Sequence, residues 1–127
     1  RATGELIIKS EAFIPQKNMF QRATSSGVEV APSVVGGVNW SPSAVDETNG
    51  RAYVSAIHWP AVYTLHEEPA KEGKNGLRYT TLELTQGNRW GALVGIDLST
   101  GKLQWTHRTN EPLIGRRGIG IHGRRER

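Results

Sequence analysis

One stretch in the last third of the chain carries its clearest hydrophobic pattern. Leu93 to Leu98 is an apolar run of strand length, and Lys102 to Thr106 is a second run that contains Trp105. Asp97 and Gly101 supply turn chemistry between the two runs, because a carboxylate accepts hydrogen bonds from nearby backbone N–H groups and glycine tolerates positive φ. The pattern predicts a β-hairpin, which by itself is typical of many β proteins.

A second hairpin is predicted upstream of the first. Asp46 to Gly50 is a strong turn signal, since an Asn-Gly pair accepts positive φ at both central positions. Ser43 to Val45 and Arg51 to Ala56 are the predicted strands on either side, and the second of them alternates small apolar residues with Tyr53 and Ser55. The two hairpins together indicate an all-β chain.

The remaining segments complete the predicted order of elements. Thr3 to Glu5 repeats the Thr-Gly turn signal, so Leu6 to Ile8 is predicted to be a strand. Ile14 to Val35 has no clear period and is predicted to be a loop. Glu67 to Gly76 is charged and rich in turn residues, which predicts an exposed loop, whereas Tyr79 to Leu84 alternates and predicts a short extra strand.

Composition narrows the class of protein. The chain of 127 residues is long enough for one modest domain, and its 15 glycines suit short strands joined by turns. It has no cysteine, which excludes disulfides and thiolate metal sites. It contains no apolar run of about 18 residues, so we expect neither a membrane span nor a signal peptide within it.

The net charge of +4 arises at one end of the chain. Residues 116–127 hold five arginines and one glutamate, whereas residues 1–115 hold eleven basic and eleven acidic side chains. Such a run is either a solvated tail or an arm that binds polyanions. The even balance of charge elsewhere argues against a dedicated nucleic-acid surface.

Asn39 and Trp40 are the candidate binding residues. They follow Gly36 and Gly37, which lack side chains and so allow close approach by a flat ligand or by another backbone. An asparagine amide both donates and accepts hydrogen bonds, and a tryptophan contacts flat rings or donates its indole N–H. From the residues alone, a turn cap for Asn39 and a core position for Trp40 are the better explanations.

Other polar residues give weaker signals. His58 could serve as a ligand or a general base, although a lone histidine is more often structural. His66 and His107 lack partners at metal-ligand spacing, so they are assigned no role. Asp46 and Asp97 belong to the predicted turns and are assigned no catalytic role.

The stretch from Gly95 to Trp105 resembles the tryptophan docking motif of quinoprotein dehydrogenases, whose pattern is roughly Ala-x-Asp-x-x-Thr-Gly-Lys/Glu-x-x-Trp. Gly95 stands where that pattern has alanine. Members of the family are eight-bladed β-propellers that carry pyrroloquinoline quinone (PQQ), and the motif spans the outer two strands of a blade. The resemblance implies that Trp105 packs between adjacent blades and is structural.

Gly36 to Val54 resembles the blade opening of PQQ-dependent alcohol dehydrogenases, through Gly-Gly-x-Asn-Trp, then Pro, then Asp-x-x-x-Gly-x-x-Tyr-Val. In that family the Asn-Trp pair binds the cofactor at the central channel, which implies that Asn39 and Trp40 bind PQQ. The family's catalytic Asp, and its metal-binding Glu, Asn and Asp, match no residue here. We therefore assign no catalytic residue and no metal ligand in this sequence.

The resemblance also implies a domain arrangement and a function. Residues 1–13 would end one blade, residues 36–110 would form most of the next, and residues 112–127 would begin the one after it. We expect the chain to be a fragment of an eight-bladed propeller that is inactive alone.

The implied function is the oxidation of small alcohols in the periplasm, with PQQ as cofactor. The resemblance further implies Ca²⁺ or a lanthanide, bound by residues outside this sequence. The implied electron acceptor is a cytochrome c or ubiquinone, and no specific nucleic-acid partner is expected.

Two alternatives share parts of this pattern. A non-enzymatic propeller scaffold of outer-membrane assembly has the same docking repeats, but it does not need Gly36 to Trp40 at its channel. A PQQ-dependent, membrane-bound aldose (glucose) dehydrogenase would be distinguished by an N-terminal membrane domain in the full-length gene.

The last residues break the family pattern. The resemblance stops at Pro112 to Gly115, where relatives continue with a strand similar to Gly-Gly-Val-Leu-Ala-Thr. With one choice of codons for Arg116 to Glu126, reading one base later gives Gly-Gly-Val-Leu-Ala-Ser-Thr-Gly-Gly-Gly, which is such a strand. We interpret residues 116–127 as the product of a frameshift in the gene or in its sequencing.

Overall fold

A computed structural model describes residues 3–39 and 41–114, and these residues form an all-β fold. Their strands are β1 (Val28–Val30), β2 (Ala44–Asp46), β3 (Arg51–His58), β4 (Ala61–Glu68), β5 (Leu77–Leu84), β6 (Trp90–Asp97) and β7 (Leu103–Thr109). Within this part of the chain there is no helix with the length and apolar character needed to cross a membrane.

Four strands form one antiparallel sheet in the order β2-β3-β6-β7. β3 pairs with β6 along its whole length, from Arg51 opposite Asp97 to His58 opposite Trp90. β2 and β7 are each joined to their neighbour by a short turn. Both predicted hairpins are therefore confirmed, with strand bounds that differ from the predicted ones by a few residues.

The insert between β3 and β6 supplies two strands of a second sheet, which has the order β1-β4-β5. β4 and β5 pair over their full lengths, and β1 pairs with the start of β4. Two side-chain contacts link β4 to β5. Arg78 forms an ion pair with Glu67 (3.0 Å), and His66 stacks on Tyr79. The extra strand predicted at Tyr79 to Leu84 is confirmed as part of β5.

The loop predicted for Ile14 to Val35 is wrong in part, since β1 lies within it. A backbone bridge joins Lys17 to Ala31, and a salt bridge of 2.9 Å joins Lys17 to Glu29. These contacts close residues 17–31 into a hairpin-like loop whose second arm contains β1. A strand of three residues is too short to show a hydrophobic period, which is why no pattern predicted it.

The strand predicted at Leu6 to Ile8 is not formed. The three side chains are 73%, 89% and 41% exposed, and none of the described strands pairs with them. The segment is fastened further along, where the Glu11 N–H donates to the Gly101 carbonyl and the Glu11 carboxylate accepts from the Leu103 N–H. An apolar run becomes a strand only where a neighbouring strand supplies its backbone hydrogen bonds.

One face of the four-stranded sheet holds the core. The core consists of small side chains from β3 and β6 together with one residue from the N-terminal segment: Ile14, Val54, Ala56, Ala92, Val94 and Ile96. Phe13 and Trp90 pack at its margin. Val94 is the largest fully buried side chain of the described residues, so the core is thin.

Candidate functional site

Gly36 and Gly37 fasten the segment before Asn39 to the end of β3. The Gly37 N–H donates to the Ile57 carbonyl (2.7 Å), and the Ile57 N–H donates to the Gly37 carbonyl (2.9 Å). A Cβ on Gly36 would lie 2.5 Å from the Cβ of Pro32, and Gly37 has a φ of +73°. The glycine pair therefore serves the close approach of other backbone, which is one of the two explanations that its sequence suggested.

Asn39 is exposed and lies at the end of the sheet where the insert begins, because the Gly37–Ile57 bridge holds it beside the last residues of β3. Its amide nitrogen Nδ2 donates to the Val34 carbonyl at 2.7 Å. That bond uses one of the amide's hydrogen-bonding positions, and it uses neither the second N–H nor the Oδ1 acceptor. Trp40, the other candidate, lies outside the described residues.

A row of side chains crosses the sheet at this same end. His58 stacks on Trp90 with 5.1 Å between ring centroids, and the Arg108 guanidinium lies 4.1 Å from the Trp90 ring. His58 is 4% exposed, and its Nδ1 has no hydrogen-bond partner in the described structure. Burial, together with the positive charge of Arg108, lowers the pKa of His58. A neutral, packed imidazole fits a structural role.

The carboxylates of Asp46 and Asp97 accept hydrogen bonds from residues of their own turns. Asp97 Oδ1 accepts hydrogen bonds from the backbone N–H groups of Ser99 (2.9 Å) and Thr100 (3.0 Å). Hydrogen bonds to the charged form, led by the Ser99 hydroxyl, lower the pKa of Asp97. The Asn49 side chain lowers the pKa of Asp46 in the same way, with Nδ2 donating at 2.7 Å. Carboxylates held like this are poor proton acceptors, consistent with a structural role.

Trp105 packs on the face of the four-stranded sheet opposite the core, since Gly95 alternates with the buried Val94. A Cβ on Gly95 would lie 2.6 Å from the indole Nε1, so the glycine that departs from the docking pattern makes room for the ring. The Tyr53 ring lies beside it, with 6.0 Å between centroids. These contacts describe a packing residue.

A metal centre does not fit the described residues. Among residues 3–39 and 41–114, no group of three or more His, Asp or Glu side chains lies close enough together to hold a metal ion. Ca²⁺ takes about six to eight oxygen ligands, with Asp and Glu carboxylates prominent among them, and the described residues do not cluster such carboxylates.

Two cavities flank the segment that leads to Asn39, and sequence reasoning missed both. One, of about 510 Å³, lies between residues 9–14 and the Gly37-Val38 backbone. The other, of about 480 Å³, lies between the loop before β1 and the three-stranded sheet. Its lining is mostly apolar: Met19, Gln21, Ala23, Val30, Pro32, Ser33, Val34, Tyr63 and Thr80. The local signal was slight, namely three apolar residues spaced by two at Val30, Pro32 and Val34.

Comparison with known proteins identifies a family. Residues 7–116 match the family described as glucose/ethanol/alcohol dehydrogenase, β-propeller domain, with the label PQQ. The chain is 32% identical over 108 residues to a quinoprotein ethanol dehydrogenase of Pseudomonas putida, and 33% identical over 88 residues to one of Pseudomonas aeruginosa. It is 31% identical over 101 residues to the quinoprotein alcohol dehydrogenase PedE of Pseudomonas putida.

These alignments cover 84%, 68% and 78% of this chain, but 17%, 14% and 16% of the relatives. The chain thus spans about one sixth of the length of the curated relatives it matches. The family match covers most of the chain, and the described residues are all-β with antiparallel sheets, as a β-propeller requires. The resemblance that the sequence motifs indicated is confirmed, and the chain belongs to the PQQ-carrying β-propeller family of glucose, ethanol and alcohol dehydrogenases.

Proposed function

We propose that this chain is part of a PQQ-dependent dehydrogenase that oxidises small alcohols. The family match and three relatives named as ethanol or alcohol dehydrogenases support the proposal. When bound, PQQ supplies the redox chemistry, because the quinone takes up the hydrogen that the alcohol loses. In this proposal the described residues contact and position the cofactor, and we assign no catalytic residue among them.

In this proposal the four-stranded sheet is one blade, formed by residues 36–110. Residues 1–13 end the preceding blade and residues 112–127 begin the following one. Two contacts of the N-terminal segment support the arrangement, since Glu11 bonds to both Gly101 and Leu103 at the turn between β6 and β7. Exposed Trp105, which is 39% accessible, is then available to pack against a neighbouring blade.

Asn39 contacts PQQ in this proposal, and Trp40 is the second contact. The observation that carries the assignment is the hydrogen bond from Asn39 Nδ2 to the Val34 carbonyl. This bond orients the amide, and it uses neither the second N–H nor the Oδ1 acceptor. The Gly37–Ile57 bridge holds the segment at the end of β3, where the insert begins. A quinone with carboxylate and carbonyl oxygens suits an amide that still has an N–H to donate.

The remaining parts of the proposal come from the family. Ca²⁺ or a lanthanide is bound elsewhere in the enzyme, since the described residues do not fit a metal site. A cytochrome c or ubiquinone accepts the electrons, and the enzyme works in the periplasm. Reduction of each acceptor by the purified full-length enzyme, and fractionation of the cells that make it, test these two points.

The test of the cofactor site compares two asparagine variants of the full-length enzyme. Asn39→Ala is expected to weaken PQQ binding about 5- to 150-fold, which corresponds to a lost polar contact of about 1–3 kcal/mol. Asn49→Ala is the matched control, because it also removes a side-chain hydrogen bond of 2.7 Å, but at a turn at the other end of β3. PQQ affinity is measured by titration of the apo-enzyme, and equal affinities for the two variants would refute the assignment.

A further inference from the structure

A β-turn formed by residues 33–36 precedes Asn39. The Gly36 N–H donates to the Ser33 carbonyl at 2.9 Å, which closes the turn over its two central residues, Val34 and Val35. A turn of this kind satisfies only its first carbonyl and its last N–H. The peptide groups of the central residues therefore need partners elsewhere, either water or another part of the protein.

Val34 finds both of its partners in side chains. Its N–H donates to the Tyr63 hydroxyl at 3.1 Å, and its carbonyl accepts from Asn39 Nδ2 at 2.7 Å. One residue of the turn thus joins the hydroxyl of a β4 residue to the amide of the proposed cofactor contact. The bond between Val34 and Tyr63 spans 29 positions along the chain, so it depends on how the turn packs against β4.

Tyr63 is held from both sides in its sheet. It lies in β4, the central strand of the three-stranded sheet, opposite Val28 of β1 and Leu82 of β5. Its side chain is half-buried. A residue on a paired central strand is placed more precisely than a residue on a loop, so the Tyr63 hydroxyl gives the turn a fixed point of attachment.

The turn passes this constraint on to its outward carbonyl. The common flip of a central peptide group, which would reverse the Val34 carbonyl, requires positive φ at Val35. A β-branched residue strongly disfavours positive φ, and among the described residues Asn18 is the one non-glycine that has it. When Tyr63 holds the Val34 N–H, the Val34 carbonyl therefore keeps its direction toward the Asn39 amide.

We propose that Tyr63 is a positioning residue for Asn39, with its hydroxyl holding Val34 so that the Val34 carbonyl aims the Asn39 amide at the cofactor. The proposal rests on the function proposed above, and Tyr63 itself contacts neither PQQ nor substrate in it. The Gly37–Ile57 bridge places the backbone of the segment, whereas Tyr63 orients the amide. The insert between β3 and β6 thereby takes part in cofactor binding.

The first measurement uses the full-length protein without PQQ. Isotope-labelled asparagine gives side-chain amide signals by NMR, and those of Asn39 are identified by their loss in Asn39→Ala. Tyr63→Phe removes only the hydroxyl, and it is expected to shift these signals and to speed exchange of the amide hydrogens with water about two- to tenfold. Tyr79→Phe, at a tyrosine of β5 whose ring stacks on His66, is the matched control and leaves the signals unchanged.

The second measurement is the titration of the apo-enzyme with PQQ in two backgrounds. In the wild-type background, Tyr63→Phe is expected to weaken PQQ binding about two- to tenfold. In the Asn39→Ala background, the same substitution should change the affinity by less than about twofold, because the amide that Tyr63 positions is absent. A purely structural role of Tyr63 would lower the affinity equally in both backgrounds.

Unchanged Asn39 signals in Tyr63→Phe would overturn the proposal, and so would equal losses of PQQ affinity in the two backgrounds. If the signals shift but Asn39→Ala binds PQQ as the wild type does, the positioning role stands and the cofactor assignment of Asn39 alone is refuted. Melting curves of Tyr63→Phe and Tyr79→Phe establish that both variants are folded in these comparisons.

Discussion

At position 95 the absence of a side chain decides where the Trp105 indole lies. The ring occupies the space that a Cβ would fill, with Nε1 and Cε2 both 2.6 Å from that position. Real Cβ contacts are not this short, so the ring or the strand would have to move if a side chain were added. The docking pattern of the family has alanine here, whereas this chain has glycine, and its indole lies directly against the backbone.

Gly95→Ala is expected to destabilise the full-length protein by about 1–3 kcal/mol, as overpacking of a tight contact does. Gly87→Ala is the matched control, because a Cβ there would meet nothing within 4 Å. Urea unfolding of both variants measures the difference. If Gly95→Ala unfolds at the same urea concentration as Gly87→Ala, the indole adjusts freely and its position does not depend on glycine.

At the scale of the elements, the turn between β6 and β7 shows how a short motif stabilises a hairpin. Asp97 accepts hydrogen bonds from two backbone N–H groups and from the hydroxyls of Ser99 and Thr100. The Gly101 N–H closes the turn on the Asp97 carbonyl at 2.8 Å, and Gly101 has a φ of +73°. These contacts join residues two to four positions apart, so the turn forms from local sequence.

Asp97→Ala is expected to lower the melting temperature more than Glu47→Ala, an exposed acidic residue of the other turn. The pKa of Asp97 is lowered in the folded state, chiefly by the Ser99 hydroxyl. Its contribution is therefore present above the pKa of the unfolded state, about 3.9, and is lost as the pH falls through the lower folded value. Melting curves recorded from neutral pH to about pH 2 measure the loss of this contribution to stability.

The comparison with the wild type gives the sign of the effect. The melting temperatures of Asp97→Ala and the wild type should converge on acidification, while Glu47→Ala should follow the wild type throughout. A gap between Asp97→Ala and the wild type that stays constant down to the lowest pH would show that the carboxylate charge contributes nothing to the turn.

On the scale of the whole molecule, the described residues leave much apolar surface uncovered. Phe20 is 99% exposed and Ile7 is 89% exposed, whereas the largest fully buried side chain is only a valine, Val94. A repeat unit of a propeller cannot bury its apolar faces alone and depends on its neighbours. The thin core and the open faces are consistent with a fragment of a propeller.

We predict that the isolated chain of 127 residues folds poorly and does not oxidise alcohols. Its purified form should show a broad thermal transition, and it should give no turnover in a dye-linked assay with PQQ and Ca²⁺. A sharp cooperative transition of a monomer, or measurable turnover, would contradict the prediction. The full-length enzyme in the same assay is the positive control.

The frameshift interpretation of residues 116–127 stays a hypothesis, because those residues lie outside the described structure. The family match extends to residue 116, the first residue of the basic run. Resequencing the locus distinguishes a shifted frame from a genuine arginine-rich end.

The sequence by itself determined the features that depend on near neighbours along the chain. Both hairpin turns follow from Asp97 and from the Asn49-Gly50 pair, whose hydrogen bonds and positive φ are local properties. The alternation in β3 and β5 is local in the same sense. The two motifs also indicated the family, and with it Asn39 as a candidate, before any contact was known.

Only the tertiary structure decided which segments meet. It paired β3 with β6 across the insert, joined β1 to β4, and left Leu6 to Ile8 unpaired. It also tied Asn39 to Val34 and buried Ser33 in the wall of a cavity. These outcomes require backbone groups from distant parts of the chain to satisfy one another, and a local pattern does not specify the partner.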